Sequence, residues 1–266
     1  MKTTSVAFFI LSTCITQAQI EVIDNNPEAN QMVITGLYRQ NFDSLTVTPK
    51  FRPWSDNSTL PGWYITEEVI GPGIIGGVDS WGTVNGQGDR AFGPSGGNSG
   101  TELIAVRFAN ATSLTLTGLS VAFDGEQWYR NPSITPRSST LRFEYQIFDA
   151  GAGYEYKSTG WVSVPGLDFI SPNAALTTAE NLDGNAPENS IRDIQALIDG
   201  VSIAPTQEIW LRWVSYGVAL GIPVHGQGID NLTVSFVAIP EPAAFAGLAG
   251  LGALAFGLSR RRARLG

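Results

Sequence analysis

Two carboxylates, Asp124 and Glu126, are separated by a single residue and could act on one substrate. On a β-strand they would share a face, with their backbones about 6.5–7 Å apart. Retaining glycoside hydrolases place their acid and nucleophile carboxyl groups about 5–5.5 Å apart. Gly125 lies between the two acids and suggests a bend, where the same pair could instead cap a turn. We favour this structural interpretation and keep glycoside hydrolysis as an alternative.

Oxygen-bearing side chains in two predicted loops could bind calcium, which takes carboxylate, amide and carbonyl oxygens as ligands. Asp183 and Asn185 belong to one loop, and Asp230 belongs to the other. A structural calcium ion at these residues is one hypothesis, although no EF-hand spacing is present. Alternatively, Asp230 fixes its own turn through side-chain to backbone hydrogen bonds. We predict no other cofactor.

Several aromatic residues have polar neighbours and could stack against a sugar ring. Trp128 and Tyr129 are adjacent, and Trp54 lies in another polar segment. Aromatic residues of β-proteins are more often part of the core than of a binding platform. Sugar binding by exposed aromatics is therefore the second hypothesis for function, behind a non-enzymatic role.

Other classes of site are poorly supported. His225 is the single histidine and has no G-x-S-x-G nucleophile motif to accompany it, so we assign it to a loop. One histidine without a cysteine nearby does not suffice for zinc. The segment 86–91 matches a dinucleotide-binding pattern by letter, but Phe92-Gly93-Pro94 prevents the helix which that motif requires. We predict no catalytic residue.

The elements that must position these residues are β-strands. Residues 141–147 alternate between apolar and polar side chains, which is typical of a half-buried strand. Five further segments are predicted to be strands: 105–108, 113–123, 161–164, 209–214 and 232–236. Segment 190–200 fits either a helix or a strand, and we favour a strand. Some 13 to 15 strands could fit, which predicts an all-β, jelly-roll-like β-sandwich.

The C-terminus has a separate organisation. Pro240-Glu241-Pro242 precedes an uncharged run over 243–258, and Arg260, Arg261 and Arg262 follow that run. As a helix the run would be about 24 Å long, against a bilayer core of roughly 30 Å. It can cross a membrane only if the bilayer thins or the arginines snorkel. We predict a single, weak transmembrane helix with the arginines on the cytoplasmic side.

This order of features closely resembles the PEP-CTERM sorting signal of exported bacterial proteins. The resemblance implies recognition by an exosortase, an intramembrane transpeptidase, close to Glu241. It also implies release to the cell surface or into an extracellular polysaccharide matrix. An ordinary tail anchor is the alternative.

The N-terminus agrees with export. Lys2 is followed by the apolar segment 6–11, and small residues lead to a cleavage position between Ala18 and Gln19. A lipoprotein signal ending at Cys14 is the alternative. Cys14 is the sole cysteine, so cleavage after Ala18 would leave no thiol in the mature chain.

The middle of the chain also resembles a sandwich domain found in exported bacterial proteins with such tails. The similarity is carried by seven segments in order: 41–45, 59–64, 89–93, 125–128, 182–185, 208–213 and 228–232. It implies a jelly-roll sandwich without an established activity.

These observations divide the chain into a signal peptide (1–18), a β-sandwich ectodomain (19–237) and a sorting segment (238–266). Without its terminal segments the chain has 11 basic and 23 acidic residues, a net charge of −12, which argues against binding nucleic acid. We expect an exported, non-enzymatic protein, anchored transiently in the inner membrane and then released. Its expected partners are an exosortase and extracellular polysaccharide.

Overall fold

The computed structural model describes residues 20–22, 37–45, 52–66, 69–71, 78–82, 88–96, 101–133, 136–149, 158–174, 177–216 and 224–238. These residues form sixteen β-strands and two 3₁₀ turns, Pro165–Leu167 and Pro187–Asn189. The predicted all-β class is confirmed for this part of the chain.

The first sheet has seven strands. They are β1 (Ile20–Val22), β4 (Trp63–Ile65), β8 (Glu102–Asn110), β10 (Thr140–Phe148), β11 (Val162–Ser163), β12 (Phe169–Ile170) and β15 (Glu208–Ser215). The order is β1-β8-β15-β10-β11, while β4 pairs with β8 and β12 pairs with β10. All of these pairs are antiparallel except β1 with β8.

The second sheet has nine strands. They are β2 (Leu37–Gln40), β3 (Arg52–Pro53), β5 (Val69–Gly71), β6 (Val78–Trp81), β7 (Ala91–Pro94), β9 (Leu116–Arg130), β13 (Glu180–Asn181), β14 (Ser190–Ile203) and β16 (Gly226–Ala238). The order is β13-β9-β16-β7-β6-β5-β3, while β14 pairs with β9 and β2 pairs with β16. Here the parallel pair is β5 with β6.

The main hydrophobic core lies between the two sheets. The ring of Trp213 on β15 packs edge-on against Phe143 of its own sheet and against Phe123 of the second sheet, with ring centroids 5.2 and 5.6 Å apart. All three side chains are buried. The described residues therefore form a β-sandwich, and its finer jelly-roll connectivity stays a prediction.

Strand β9 is longer than the sequence predicted. It continues past Phe123 to Arg130, so Gly125 does not end the strand. Gly125 serves close packing instead, because a Cβ there would lie 2.4 Å from the Phe169 ring. As a result Asp124, Glu126 and Trp128 lie along one face of a continuous strand, opposite the core.

The ambiguous segment 190–200 is a strand, as favoured. It belongs to β14, where Ile194 and Ile198 are buried and Leu197 is exposed. This alternation follows the two-residue period of a strand.

Two β-bulges interrupt the second sheet beside Asp124. The register of β14 against β9 shifts between Ile191 and Ile194, and that of β16 against β9 shifts between Asp230 and Thr233. Asp193 and Asn231 adopt positive φ values of 55° and 51° at these shifts. Asp and Asn tolerate this left-handed conformation better than most residues do, and bulges of this kind redirect side chains.

Apart from Ala238, which ends β16, both predicted terminal segments lie outside the described residues. They include the cleavage position at Ala18 and Gln19, Pro240-Glu241-Pro242, and the tail arginines. Within the part of the chain that the structure describes, no helix has the length and apolar character needed to cross a membrane.

Candidate functional site

Three carboxylates from separate parts of the sequence meet on the outer face of the second sheet. Asp89, Glu126 and Asp230 each place one oxygen within 4.8 Å of the other two. Asp89 is exposed, whereas Glu126 and Asp230 are fully buried. We refer to these three residues as the carboxylate cluster.

Strand register brings the cluster together. Gly228 on β16 lies opposite Glu126 on β9, and Asp230 lies opposite Asp124. Asp89 precedes β7, whose Phe92 pairs with Ile229 of β16. Three adjacent strands, β7, β16 and β9, therefore supply one carboxylate each, either from the strand or from the residues before it.

The cluster is electrostatically costly. Burial raises the pKa of Glu126 to about 7, although the Arg192 guanidinium and the Trp128 indole N–H act in the opposite direction. Burial likewise raises the pKa of Asp230 to about 8, and the negative charges of Glu126, Asp89 and Asp43 add to this shift. An ionised carboxylate removed from water requires nearby positive charge or several hydrogen bonds.

The two buried carboxylates differ in their partners. Glu126 accepts hydrogen bonds from Arg192 Nη1 at 2.9 Å and from Trp128 Nε1 at 3.0 Å. Neither oxygen of Asp230 accepts a hydrogen bond of ordinary geometry from the described residues. The backbone N–H of Asn231 only partly offsets the effect of burial on its pKa. This contact with Asn231 is of the side-chain to backbone kind that was predicted for Asp230, but it leaves both carboxylate oxygens without a hydrogen bond of ordinary geometry from the described residues.

Asp124 has a structural environment. Its oxygens accept hydrogen bonds from the backbone N–H of Asp193 at 2.9 Å, from Arg192 Nη1 at 3.0 Å and from Asn231 Nδ2 at 3.1 Å. Asp193 and Asn231 are the bulge residues, so Asp124 stabilises both bulges. Arg192 links Asp124 to Glu126, and these contacts favour the structural interpretation of the pair over glycoside hydrolysis.

The two tryptophans of the predicted aromatic platform are not exposed. Trp128 is buried against Trp81 and Ala91, and Tyr129 is half-buried beside them. Trp54 is buried too, and its ring stacks on Phe92 with centroids 5.2 Å apart. The prediction of exposed aromatics at Trp54 and Trp128 is wrong, because packing against neighbouring strands covers both rings.

The predicted calcium ligands separate into two groups. Asp183 and Asn185 form a local turn, in which Asp183 Oδ1 accepts the Asn185 backbone N–H at 3.1 Å. Asp183 is absent from the carboxylate cluster, whereas Asp230 belongs to it. Sequence reasoning missed Asp89 as a site residue, and it considered Glu126 for catalysis or for capping a turn but not as a metal ligand.

His225 lies just before β16, as a loop residue, but it is fully buried. Its Nδ1 accepts the Asn131 backbone N–H at 3.0 Å, and its Nε2 lies 3.1 Å from the carbonyl oxygen of Arg137. Burial lowers the pKa of His225. Both ring nitrogens are therefore engaged with the backbone.

The outer face of the first sheet carries a second polar and aromatic group, which sequence reasoning missed. The Arg212 guanidinium lies 3.8 Å from the centroid of the half-buried Trp161 ring. Arg212 Nε also donates to Glu144 Oε2 at 2.8 Å, and Tyr216 Oη lies 3.2 Å from the same carboxylate. The sequence did contain a signal for this group, because Glu144 and Arg212 are opposite charges at polar positions of the predicted strands 141–147 and 209–214.

Comparisons with known proteins add little. No protein-family model matches the sequence, and no curated protein gives a significant match. One similar solved structure is TmCBM61 in complex with beta-1,4-galactotriose. The alignment covers 73% of this chain and 92% of that one, with 10% sequence identity and a TM-score of 0.32. A likeness this low does not transfer a ligand.

Proposed function

We propose that this chain is an exported, non-enzymatic β-sandwich protein that a C-terminal sorting segment delivers to the cell surface or extracellular matrix. The observation that carries the proposal is the order of three features at the terminus: Pro240-Glu241-Pro242, the uncharged run over 243–258, and the cluster from Arg260 to Arg262. A predicted signal peptide with cleavage after Ala18 supports the same route.

Each tail feature has its own physical role in this proposal. The prolines prevent a helix from propagating backward, so Glu241 stays in an extended and accessible peptide. The apolar run holds that peptide at the membrane surface. The arginines keep their charge and set the depth of the run. An exosortase-type enzyme could then reach the peptide beside Glu241.

The contacts of the paired carboxylates support a non-enzymatic role. Asp124 bonds to both bulges, and Glu126 bonds to Arg192 and Trp128. A general acid or nucleophile must instead be directed at a substrate.

The experiment is a fractionation blot in a host that has an exosortase, with an epitope inserted before residue 239. We expect Glu241→Ala to insert normally but to accumulate at full length in the membrane fraction, while wild type is released. The matched control is Glu188→Ala, a change at an exposed ectodomain glutamate that should leave release unchanged. Equal release of wild type and Glu241→Ala would show that the tail is only an anchor.

Carbohydrate binding is a second candidate function. One observation favours a binding site on the outer face of the first sheet rather than at Trp54, Trp128 and Tyr129. Trp161, Tyr216 and Gln146 are partly exposed on the outer face of the first sheet, beside the Arg212–Glu144 pair. Rings and hydrogen-bonding groups on one sheet face suit a sugar.

A glycan array of the wild-type chain would test this candidate. Trp161→Ala should abolish any signal, whereas Ile170→Ala, at an exposed residue on β12 of the same sheet, should keep it. Absence of a signal for wild type would eliminate the candidate.

A further inference from the structure

Asp230 is an unusual buried acid. It is completely excluded from solvent, and neither of its oxygens has a hydrogen-bond donor of ordinary geometry among the described residues. Its side chain nevertheless approaches two other carboxylates within 4.8 Å. A buried charge of this kind needs a compensating group, such as a metal ion.

The Arg192 guanidinium does not meet this need. Arg192 Nη1 is directed at Glu126 and Asp124. The charged groups that act most strongly on Asp230 are Glu126, Asp89 and Asp43, which all have the same sign as Asp230. One guanidinium thus serves two carboxylates, and Asp230 faces further negative charge.

Five of the seven segments singled out by their resemblance to a sandwich domain converge at this point. Segments 89–93, 125–128 and 228–232 contribute the three carboxylates. Segment 41–45 joins them through Asp43, whose Oδ1 accepts the Arg90 backbone N–H at 3.0 Å. Segment 182–185 packs Gly184 directly against Trp128, which is one of the two hydrogen-bond donors to Glu126. Five separate segments therefore assemble one polar site.

We propose that Asp89, Glu126 and Asp230 form a binding site for a divalent cation, and that calcium is the ion it takes. The donors are all oxygen atoms, which suit calcium and magnesium and do not favour zinc. Calcium ligands lie about 2.3–2.6 Å from the ion, so two ligand oxygens can be up to about 5 Å apart. The separations in the cluster fit that range. Magnesium requires a smaller octahedron, with ligands at about 2.0–2.1 Å.

The bound ion would act as a brace. It would connect β9 and β16 to the residues before β7, and it would neutralise two of the negative charges that burial makes costly. The exposed side of Asp89 gives the ion a route from solvent.

The first experiment measures binding of calcium to the purified full-length chain by calorimetry, after treatment with a chelator. We expect one ion per chain. Terbium, which replaces calcium at oxygen sites, should give luminescence excited through tryptophan, because the Trp128 indole contacts Glu126. Calcium at a hundredfold excess over its Kd should raise the Tm by about 5–10 °C. Magnesium should do so much less.

Variants identify the ligands. Asp230→Asn and Asp89→Asn should each weaken calcium binding at least tenfold and remove the terbium signal. Asp89→Asn is the more direct test of the two, because Asp89 is exposed and its replacement does not disturb buried packing. Asp199→Asn on β14 is the matched control, since Asp199 is an exposed acid outside the cluster, and it should bind as wild type does.

The competing account is a cluster held neutral by bound protons. In that case wild type would bind no calcium, its Tm would not respond to calcium or chelator, and Asp230→Asn would match or exceed wild-type stability. Either that result or unchanged binding by both ligand variants would overturn the proposal.

Discussion

At the scale of single residues, His225 illustrates how burial decides the state of a side chain. Its Nδ1 accepts a backbone N–H, so the proton of the neutral ring is on Nε2, which donates to the Arg137 carbonyl. Burial lowers the pKa of His225 below its ordinary value of 6.5. The histidine is therefore a neutral structural link between β16 and the residues around Asn131 and Arg137.

This environment predicts a pH-dependent contribution to stability. Because the pKa of His225 is lower in the folded protein than in the unfolded chain, the neutral imidazole contributes fully to stability above about pH 6.5. This contribution is lost as the pH falls through the folded pKa of His225. At pH 7.5, His225→Gln should lower the free energy of unfolding by about 1–3 kcal/mol, because buried partners lose good hydrogen bonds. Urea denaturation at pH 7.5 and pH 5 should show a smaller difference between variant and wild type at pH 5. An equal difference at both pH values would contradict this assignment.

At the scale of elements, close approach between a loop and a strand shapes the outer face of the second sheet. Gly184 follows β13 and lies against Trp128 of β9. A Cβ at this glycine would lie 2.3 Å from the indole Cε2 atom. The loop thus covers the Trp128 ring, which the sequence analysis considered as part of a sugar-binding platform. This close contact is possible because residue 184 is a glycine.

Gly184→Ala should therefore destabilise the protein by about 1–3 kcal/mol, since the rigid indole must move to accept the methyl group. Gly166→Ala is the matched control, because a Cβ there meets no atom within 4 Å. Its effect should stay within about 0.5 kcal/mol. Chemical denaturation followed by tryptophan fluorescence compares the two, and equal effects would show that the loop does not pack against Trp128 in solution.

At the scale of the whole molecule, charge is distributed unevenly along the sequence. The predicted ectodomain has a net charge of −12, while the last seven residues include four arginines and no acid. In the function proposed above, the acidic ectodomain is followed by a membrane segment whose basic end is cytoplasmic.

The arginines should consequently matter for sorting, although the apolar run separates them from Glu241. Replacing Arg260, Arg261 and Arg262 with glutamine should reduce release severalfold, because the run loses the charges that fix its depth. Arg264→Gln alone should have a small effect. The fractionation blot described for Glu241 measures both, and undiminished release of the triple variant would contradict a depth-setting role.

The sequence by itself determined the all-β class and located parts of the longest strands, β9, β14 and β16. The alternation in 141–147 predicted β10, and the strand interpretation of 190–200 predicted most of β14. These predictions succeeded because a period of two residues is a local property that one burial face imposes on consecutive side chains. The signal peptide and the C-terminal sorting segment are also inferred from the sequence, and both stay predictions.

The tertiary structure alone decided what the polar and aromatic residues do. Asp89, Glu126 and Asp230 are distant in sequence, and the register among β7, β16 and β9 brings them together. Trp54 and Trp128 stand among polar neighbours in the sequence, yet packing from other strands buries both. Bulges at Asp193 and Asn231 shift register in ways that no local period reveals. Pairing between strands is a long-range property, and it brings Glu126, one member of the candidate pair, together with Asp230, one of the candidate calcium ligands, and with Asp89.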